Sequence, residues 1–225
     1  MSTKTFDRKY WENRWVEGQT GFHQTTVNPC LQKHFLRVGR PNSHCLVPLS
    51  GKSLDMAWLA TQDQRVTGVE VSSVAVEEFF KEQKLTHDVL PLKNRLQLYS
   101  AENIAIVHGD LFDLWPSNIE PVDWIYDRAA LIVFPPEIQA PYVRHLERFL
   151  PVGKQILLIS FEYPRNEMSG PPFSVTQADI HRLFSPAFAV ETLERVDILN
   201  REPRWKERGV TSLHEGIYLL TKRGS

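Results

Sequence analysis

The sequence predicts an α/β fold: a mostly parallel sheet of seven strands with helices on both faces and an antiparallel last strand. Three observations predict it. Short apolar segments that read as strands recur at residues 44–47, 65–71, 104–107, 122–126 and 155–160. Helical periodicity fills the first gaps between them, with Leu54, Ala57, Trp58 and Ala60 on one stripe and Val76, Phe79 and Phe80 at i, i+3, i+4 on the next. Such alternation implies parallel strands joined by right-handed crossovers. The last two strands, 188–196 and 216–221, have no clear helix between them, which fits an antiparallel edge.

The elements follow in order. Phe6, Tyr10, Trp11 and Trp15 recur at spacings of four, one and four, giving a helix with one aromatic face that ends at Gly18. Residues 21–24 read as a loop, and Leu31, Phe35 and Leu36 predict a second helix stopped near Gly39-Arg40-Pro41. The first strand leads into the turn Pro48-Leu-Ser-Gly-Lys-Ser53. Residues 82–102 carry Pro91 and weak periodicity, so they read as an inserted loop with short elements. The strand at 104–107 ends in His108-Gly-Asp110, and the one at 122–126 ends in Asp127-Arg128. A helix over 136–150 presents Tyr142, Val143, Leu146 and Phe149 on one face. Two prolines stiffen the loop at 170–174, and a helix beginning at Thr176 or Gln177 runs to Phe184.

Composition narrows the function. A chain of 225 residues with 42% hydrophobic residues is sized for one α/β domain with an ample core. Its formal charge of −1 and its lack of interleaved basic and aromatic residues argue against nucleic acid, and no charge run points to a membrane surface. The N-terminus has no apolar signal core, and no apolar run approaches the length of a membrane span. Cys45 sits in an apolar strand, Cys30 has no cysteine near it in sequence, and neither belongs to a C-x-x-C pair, so no zinc or redox site is expected and the default compartment is a reducing cytoplasm. The eight histidines form no H-x-x-x-H pattern, and no G-x-S-x-G elbow is present. Metal and hydrolase chemistry therefore lack support.

Ligands of open α/β sheets bind beyond the carboxyl ends of the strands. Four candidates stand there. The turn at 48–53 offers Gly51 and the amides of the following helix, but it lacks both G-x-G-x-x-G and a complete P-loop. It suits an adenosyl ligand without a pyrophosphate; an ordinary strand-to-helix turn is the other reading. Glu70, near the end of the second strand, is placed to accept hydrogen bonds from ribose hydroxyls, or to serve as a capping or solvated acid. Asp110 stands at the adenine edge of this architecture, or is a plain turn residue. Arg128 is a permanent cation with a planar fork of donors, able to hold a ligand carboxylate, an anionic acceptor, or its neighbour Asp127.

These segments, taken in order, resemble the thiopurine S-methyltransferase family over nearly the whole chain. The resemblance runs from Trp15 with Gly21-Phe-His-Gln24 through Val47-Pro-Leu-Ser-Gly-Lys-Ser-Leu-Asp55 and Val69-Glu-Val-Ser72. It continues in Glu78-Phe-Phe80, Gly109-Asp-Leu-Phe-Asp-Leu114, Tyr126-Asp-Arg-Ala-Ala-Leu131, Gly170-Pro-Pro-Phe173 and Ile217-Tyr-Leu-Leu220. The resemblance implies a Rossmann-like class I methyltransferase fold in one domain over 1–225, with 1–40 as an N-terminal helical lid. It implies S-adenosylmethionine as methyl donor and S-adenosylhomocysteine as product, in a cytoplasmic monomer. Trp15, Leu49, Glu70 and Arg128 match the family's cofactor positions, and Asp110 matches an adenine position. Phe22 matches an aromatic lid and Arg204 a second arginine, joining Arg128 near the acceptor. Ser50 departs from the cysteine that relatives often carry, and a turn that lines the ligand with backbone should tolerate it.

The implied acceptors are thiopurines or other aromatic and heterocyclic thiols, with selenium and tellurium compounds also candidates. No residue is assigned as a catalytic acid or base. Two alternatives remain: an NAD(P)-dependent oxidoreductase, with which Glu70 is compatible but the missing glycines are not, and a non-catalytic S-adenosylmethionine-binding protein.

Overall fold

The computed structural model describes residues 8–224, and Phe6 lies outside them. Two compact units are present, Met1–Val122 and Asp123–Ser225.

In the first unit, α1 (Arg8–Val16) and α2 (Pro29–Val38) precede β1 (His44–Pro48), α3 (Leu54–Thr61), β2 (Arg65–Glu70) and α4 (Ser73–Gln83). Then come β3 (Asp88–Pro91), β4 (Gln97–Ala101) and β5 (Ile104–His108). The strands lie in the order β3-β4-β5-β2-β1. β1, β2 and β5 are parallel; β3, β4 and β5 form an antiparallel meander. β1 is buried along its whole length, as expected of a parallel strand covered on both faces. Ser53 and Ser72 cap α3 and α4 by accepting the amides of Asp55 and Ala75, the role short hydroxyl side chains take at orphan N–H groups. Asn28 likewise caps α2, and its own amide donates to buried Asp55 at 2.7 Å.

Two expectations change here. The short elements of residues 82–102 are the end of α4 and a β3–β4 hairpin that extends the sheet, rather than an inserted loop, and among the described residues the strands number nine. Every residue of β3 is exposed and Pro91 sits at its end. An edge strand carries little apolar pattern and accepts a proline, so its signal was weak. On α2, Leu36 is 80% exposed, and Val38 joins Leu31 and Phe35 in the buried face.

The second unit contains β6 (Trp124–Arg128), α5 (Pro136–Glu147), β7 (Gln155–Glu162), α6 (Gln177–Phe184), β8 (Phe188–Asp197), α7 (Pro203–Glu207) and β9 (His214–Lys222). Its order is β6-β7-β9-β8. β6 and β7 are parallel, and β9 runs antiparallel to β7 and β8. The antiparallel last strand is as the sequence predicts. A short helix, α7, does lie between β8 and β9; its five residues are too few to show a period. It docks through Trp205 onto Phe161 and Tyr163.

Candidate functional site

In the first unit, three turns meet at the carboxyl ends of β1, β2 and β5. Backbone bonds hold them together: Ser50 N–H donates to Val69 O at 2.9 Å, and Gly109 N–H donates to Glu70 O at 2.8 Å. Leu49 has φ +46 and Gly51 φ +53. Left-handed backbone at a leucine is costly and persists only where the surroundings impose it. The turn is closed from below by a second glycine. A Cβ on Gly68 would stand 2.6 Å from Ser50 Oγ and 2.7 Å from Met56 Sδ.

Glu70 is the hub of this arrangement. Its Oε2 accepts Gly51 N–H at 2.8 Å and its Oε1 accepts Ser72 N–H at 2.8 Å. Burial pushes its carboxyl above the usual range, opposed by the backbone amides of Ser72, Gly51 and Val71, which favour the charged form. A carboxylate offers about four lone-pair directions. With the Gly51 and Ser72 amides each on one oxygen and the Val71 amide close by, some acceptor capacity remains for a ligand hydroxyl. Asp110 stands on the turn tied to Glu70 by the Gly109 amide; its Oδ1 accepts Phe112 N–H at 2.9 Å. It is half-buried, and its structural role as a turn cap is fully used.

Trp15 covers the turn. It is 6% exposed, and a methyl on Gly51 would lie 3.0 Å from its Cζ2. The indole is fixed edge-to-face against Phe22 at 5.5 Å, and Phe22 also meets Trp11 at 5.6 Å. Phe22, itself 42% exposed, is therefore the outer member of the aromatic cluster of which Trp15 is the inner one. The structure brings Trp15, Phe22, Leu49, Glu70 and Asp110 into this one neighbourhood of the first unit.

Lys52 escaped the sequence reading. Its Nζ bonds Glu78 at 2.8 Å and Glu82 at 2.6 Å, and it stands 6.0 Å from the centre of the Trp15 ring. Burial pulls its pKa down, but the hydrogen bonds it donates to Glu78 and Glu82 outweigh that and the net direction is up. The turn is thus riveted to α4. Lys52, Glu78 and Glu82 are far apart in sequence, and only the i, i+4 spacing of the two acids hinted that they share a face.

In the second unit, Arg128 ends β6. Asp127 does not pair with it. Asp127 is fully buried and accepts Tyr142 O–H at 2.7 Å together with the amides of Ala130 at 3.0 Å and Leu131 at 3.2 Å. It therefore holds the turn that carries Arg128 and Ala129, the latter at φ +67. Burial raises the Asp127 pKa to about 6, against the Tyr142 bond and the two amides. Arg128 is half-buried and, among the described residues, its guanidinium makes no hydrogen bond or ion pair. The Gly170-Pro-Pro-Phe173 loop joins the same turn, since Phe173 N–H donates to Ile132 O at 2.6 Å. Arg204 is exposed on α7. Among the described residues, no group of three or more His, Cys, Asp or Glu could hold a metal ion.

The family model described as thiopurine S-methyltransferase matches residues 6–223. A protein of that name from Nitrosomonas eutropha is 46% identical over 96% of this chain and 98% of its own length. One of the same name from Methylococcus capsulatus is 43% identical over 97% and 99%. Among solved structures, a 1,6-didemethyltoxoflavin-N1-methyltransferase of Burkholderia thailandensis, bound to S-adenosylhomocysteine, superposes with a TM-score of 0.66 at 15% identity, covering 97% of this chain and 88% of the other. An arsenic(III) S-adenosylmethionine methyltransferase of Chlamydomonas reinhardtii gives a TM-score of 0.59 at 17% identity, covering 84% and 66%. The fold is that of the class I S-adenosylmethionine-dependent methyltransferases.

Proposed function

The chain belongs to the thiopurine S-methyltransferase family, and from that premise we propose that it methylates aromatic or heterocyclic thiols, with Trp15, Leu49, Glu70, Asp110 and Arg128 on the cofactor. It is an S-adenosylmethionine-dependent S-methyltransferase. Thiopurines, named for the relatives, head the acceptors, and selenium and tellurium compounds follow.

The observation that carries the cofactor assignment is Glu70: a buried carboxylate, held by the Gly51 and Ser72 amides beneath Trp15, with acceptor capacity left over. These residues fit the group. An adenosine diol needs an acceptor pair, and charge-assisted bonds are the strong ones. The left-handed Leu49 and Gly51 expose turn backbone that a ligand approaches closely. The single glycine of the turn, in place of three, disfavours a nicotinamide dinucleotide.

When bound, S-adenosylmethionine supplies an electrophilic methyl group on a sulfonium. The chain's own residues bind, orient and exclude water. A thiol titrates near neutrality and its thiolate is already nucleophilic, so no strong base is required. Holding the reactants in line is the larger contribution. Trp15 and Phe22, on an N-terminal lid whose described part is residues 8–40, close over the ligand; Arg128 and Arg204 favour an anionic acceptor. The whole chain acts as one domain, as a cytoplasmic monomer.

Parallel calorimetric titrations with S-adenosylmethionine, S-adenosylhomocysteine, NADH and magnesium ATP test the cofactor assignment. Binding of the two adenosyl sulfur compounds alone is expected. Binding of NADH without response to either would reassign Glu70 to a dinucleotide ribose.

A further inference from the structure

Lys52 stands at a point where three parts of the first unit meet. Its ammonium donates to two acids on α4, Glu78 at 2.8 Å and Glu82 at 2.6 Å. Residues i and i+4 share a helical face, so the two carboxylates form a fork around one cation. Both bonds are charge-assisted, the stronger kind. The same ammonium lies 6.0 Å from the centre of the Trp15 ring, at the outer reach of a cation–π contact. The Lys52 side chain is only 14% exposed, against 43% and 45% for its partners. Such a contact strengthens as the cation is desolvated.

Trp15 has its seat on the parts that Lys52 joins. Below it is the turn: a methyl on Gly51, the residue before Lys52, would come within 3.0 Å of Trp15 Cζ2. Beside it is α4, because α1, which carries Trp15, packs against α4. The outer ring of the cover depends in turn on the inner one. Phe22 meets Trp15 edge-to-face at 5.5 Å and lies 5.9 Å from the guanidinium of Arg14, also on α1. A shift of α4 relative to the turn would therefore move the indole, and the indole would carry Phe22 with it.

We propose that Lys52 is a positioning residue for methyl transfer: clamped by Glu78 and Glu82, it seats Trp15 over the cofactor turn and so sets how tightly the cofactor is held. The role rests on the reading of Trp15 as the cofactor's cover. Lys52 acts through Trp15 and does not touch the reacting atoms. An interaction that holds S-adenosylmethionine equally before and in the transition state changes affinity and leaves the chemical step alone.

Calorimetric titration with S-adenosylhomocysteine of wild type, Lys52→Met, Trp15→Leu and the double variant tests the role. Each single change should weaken binding about five- to tenfold. The double variant should bind within about twofold of Trp15→Leu, because residues that act through one another are not additive. Lys52→Arg keeps the cation and stacks on an aromatic face, so it should restore most of the affinity. Glu82→Gln leaves one acid in the fork and is the milder change; it should weaken binding in the same direction by less. In single-turnover kinetics, Lys52→Met should raise the S-adenosylmethionine concentration needed for half-saturation and keep the saturated rate within about twofold of wild type. Without ligand, hydrogen exchange of the α1 amides should quicken in Lys52→Met more than that of β1, the mark of a local loosening.

Lys52→Met and Glu82→Gln with wild-type affinity, beside a weakened Trp15→Leu, would overturn the proposal and leave the cover in place. Losses that multiply in the double variant would also overturn it, since Lys52 would then act apart from Trp15. Full affinity in Trp15→Leu would remove the cover and this role of Lys52 together.

Discussion

Glu70 reaches back across the first crossover to accept the amide of Gly51 at 2.8 Å, nineteen positions earlier in the chain. One carboxylate thus sets the shape of the turn and presents the acceptor for the ligand. In Glu70→Gln, one side-chain oxygen becomes a donor that faces a backbone N–H. Charge-assisted bonds contribute about 1.5–3 kcal/mol each, so the affinity for S-adenosylhomocysteine should fall by about ten- to a hundredfold in calorimetry. Unchanged affinity would remove Glu70 from the ligand.

Gly51→Ala tests the cover over that turn. The new methyl would lie 3.0 Å from Trp15 Cζ2 on a backbone at φ +53. Strain and overpacking together should cost roughly 1–3 kcal/mol of stability, read in urea unfolding. Adenosyl ligand binding should weaken as well, because Trp15 must shift.

Lys52→Met tests the rivet between turn and α4. Lys52 is mostly buried, at 14% side-chain exposure, with two carboxylate partners. Its loss leaves Glu78 and Glu82 facing each other without a cation. A destabilisation of about 1–2 kcal/mol is expected, larger in low salt than in high salt because both acids are exposed enough to be screened. A salt-independent loss would contradict the electrostatic account.

Asp127 gives a pH signature. Its native pKa of about 6 stands above the ordinary value of 3.8, so the folded chain binds that proton more tightly than the unfolded chain. The associated stability is present below about pH 4 and is lost as pH rises through about 6. Its full size is of the order of 3 kcal/mol. Denaturant melts of wild type and Asp127→Asn between pH 4 and 8 should show the wild type losing ground to the variant as pH rises. Tyr142→Phe removes the bond that favours the carboxylate, so it should cost more at pH 8 than at pH 5.

Arg128→Ala separates function from folding. Among the described residues its guanidinium holds nothing, so stability should change by about 0.5 kcal/mol or less. The kcat/KM for an anionic thiol acceptor should fall by roughly ten- to a hundredfold, as expected for loss of a charge-assisted contact. A folded variant with unchanged turnover would take Arg128 out of the reaction.

The sequence exposed what depends on local pattern. Buried parallel strands show as apolar runs, and Glu70, Asp110 and Arg128 follow such runs directly, so their places at strand ends were readable. Patterns without that local signal were not. β3 is an exposed edge strand, where Val89 and Leu90 stand in solvent and no burial imposes alternation, and β4 buries only Tyr99 and Ala101, too short a stripe to stand out. Leu36 satisfies the helical period yet faces water, because Val38, one turn after Phe35, completes the buried stripe. The Asp127–Tyr142 bond joins residues fifteen positions apart, and the Lys52 clamp joins residues twenty-six and thirty positions apart. Such pairs emerge only when the crossovers bring helix and strand end together.

The measurement that bears most directly on the central claim is single-turnover methyl transfer. The purified chain is mixed with S-adenosylmethionine and an aromatic thiol, and the products are followed by mass spectrometry. The account predicts methyl thioether and S-adenosylhomocysteine in equal amounts, with the rate reduced in Glu70→Gln and Arg128→Ala. A chain that binds S-adenosylmethionine but leaves a panel of aromatic thiols, thiopurines and selenols unmethylated would contradict it.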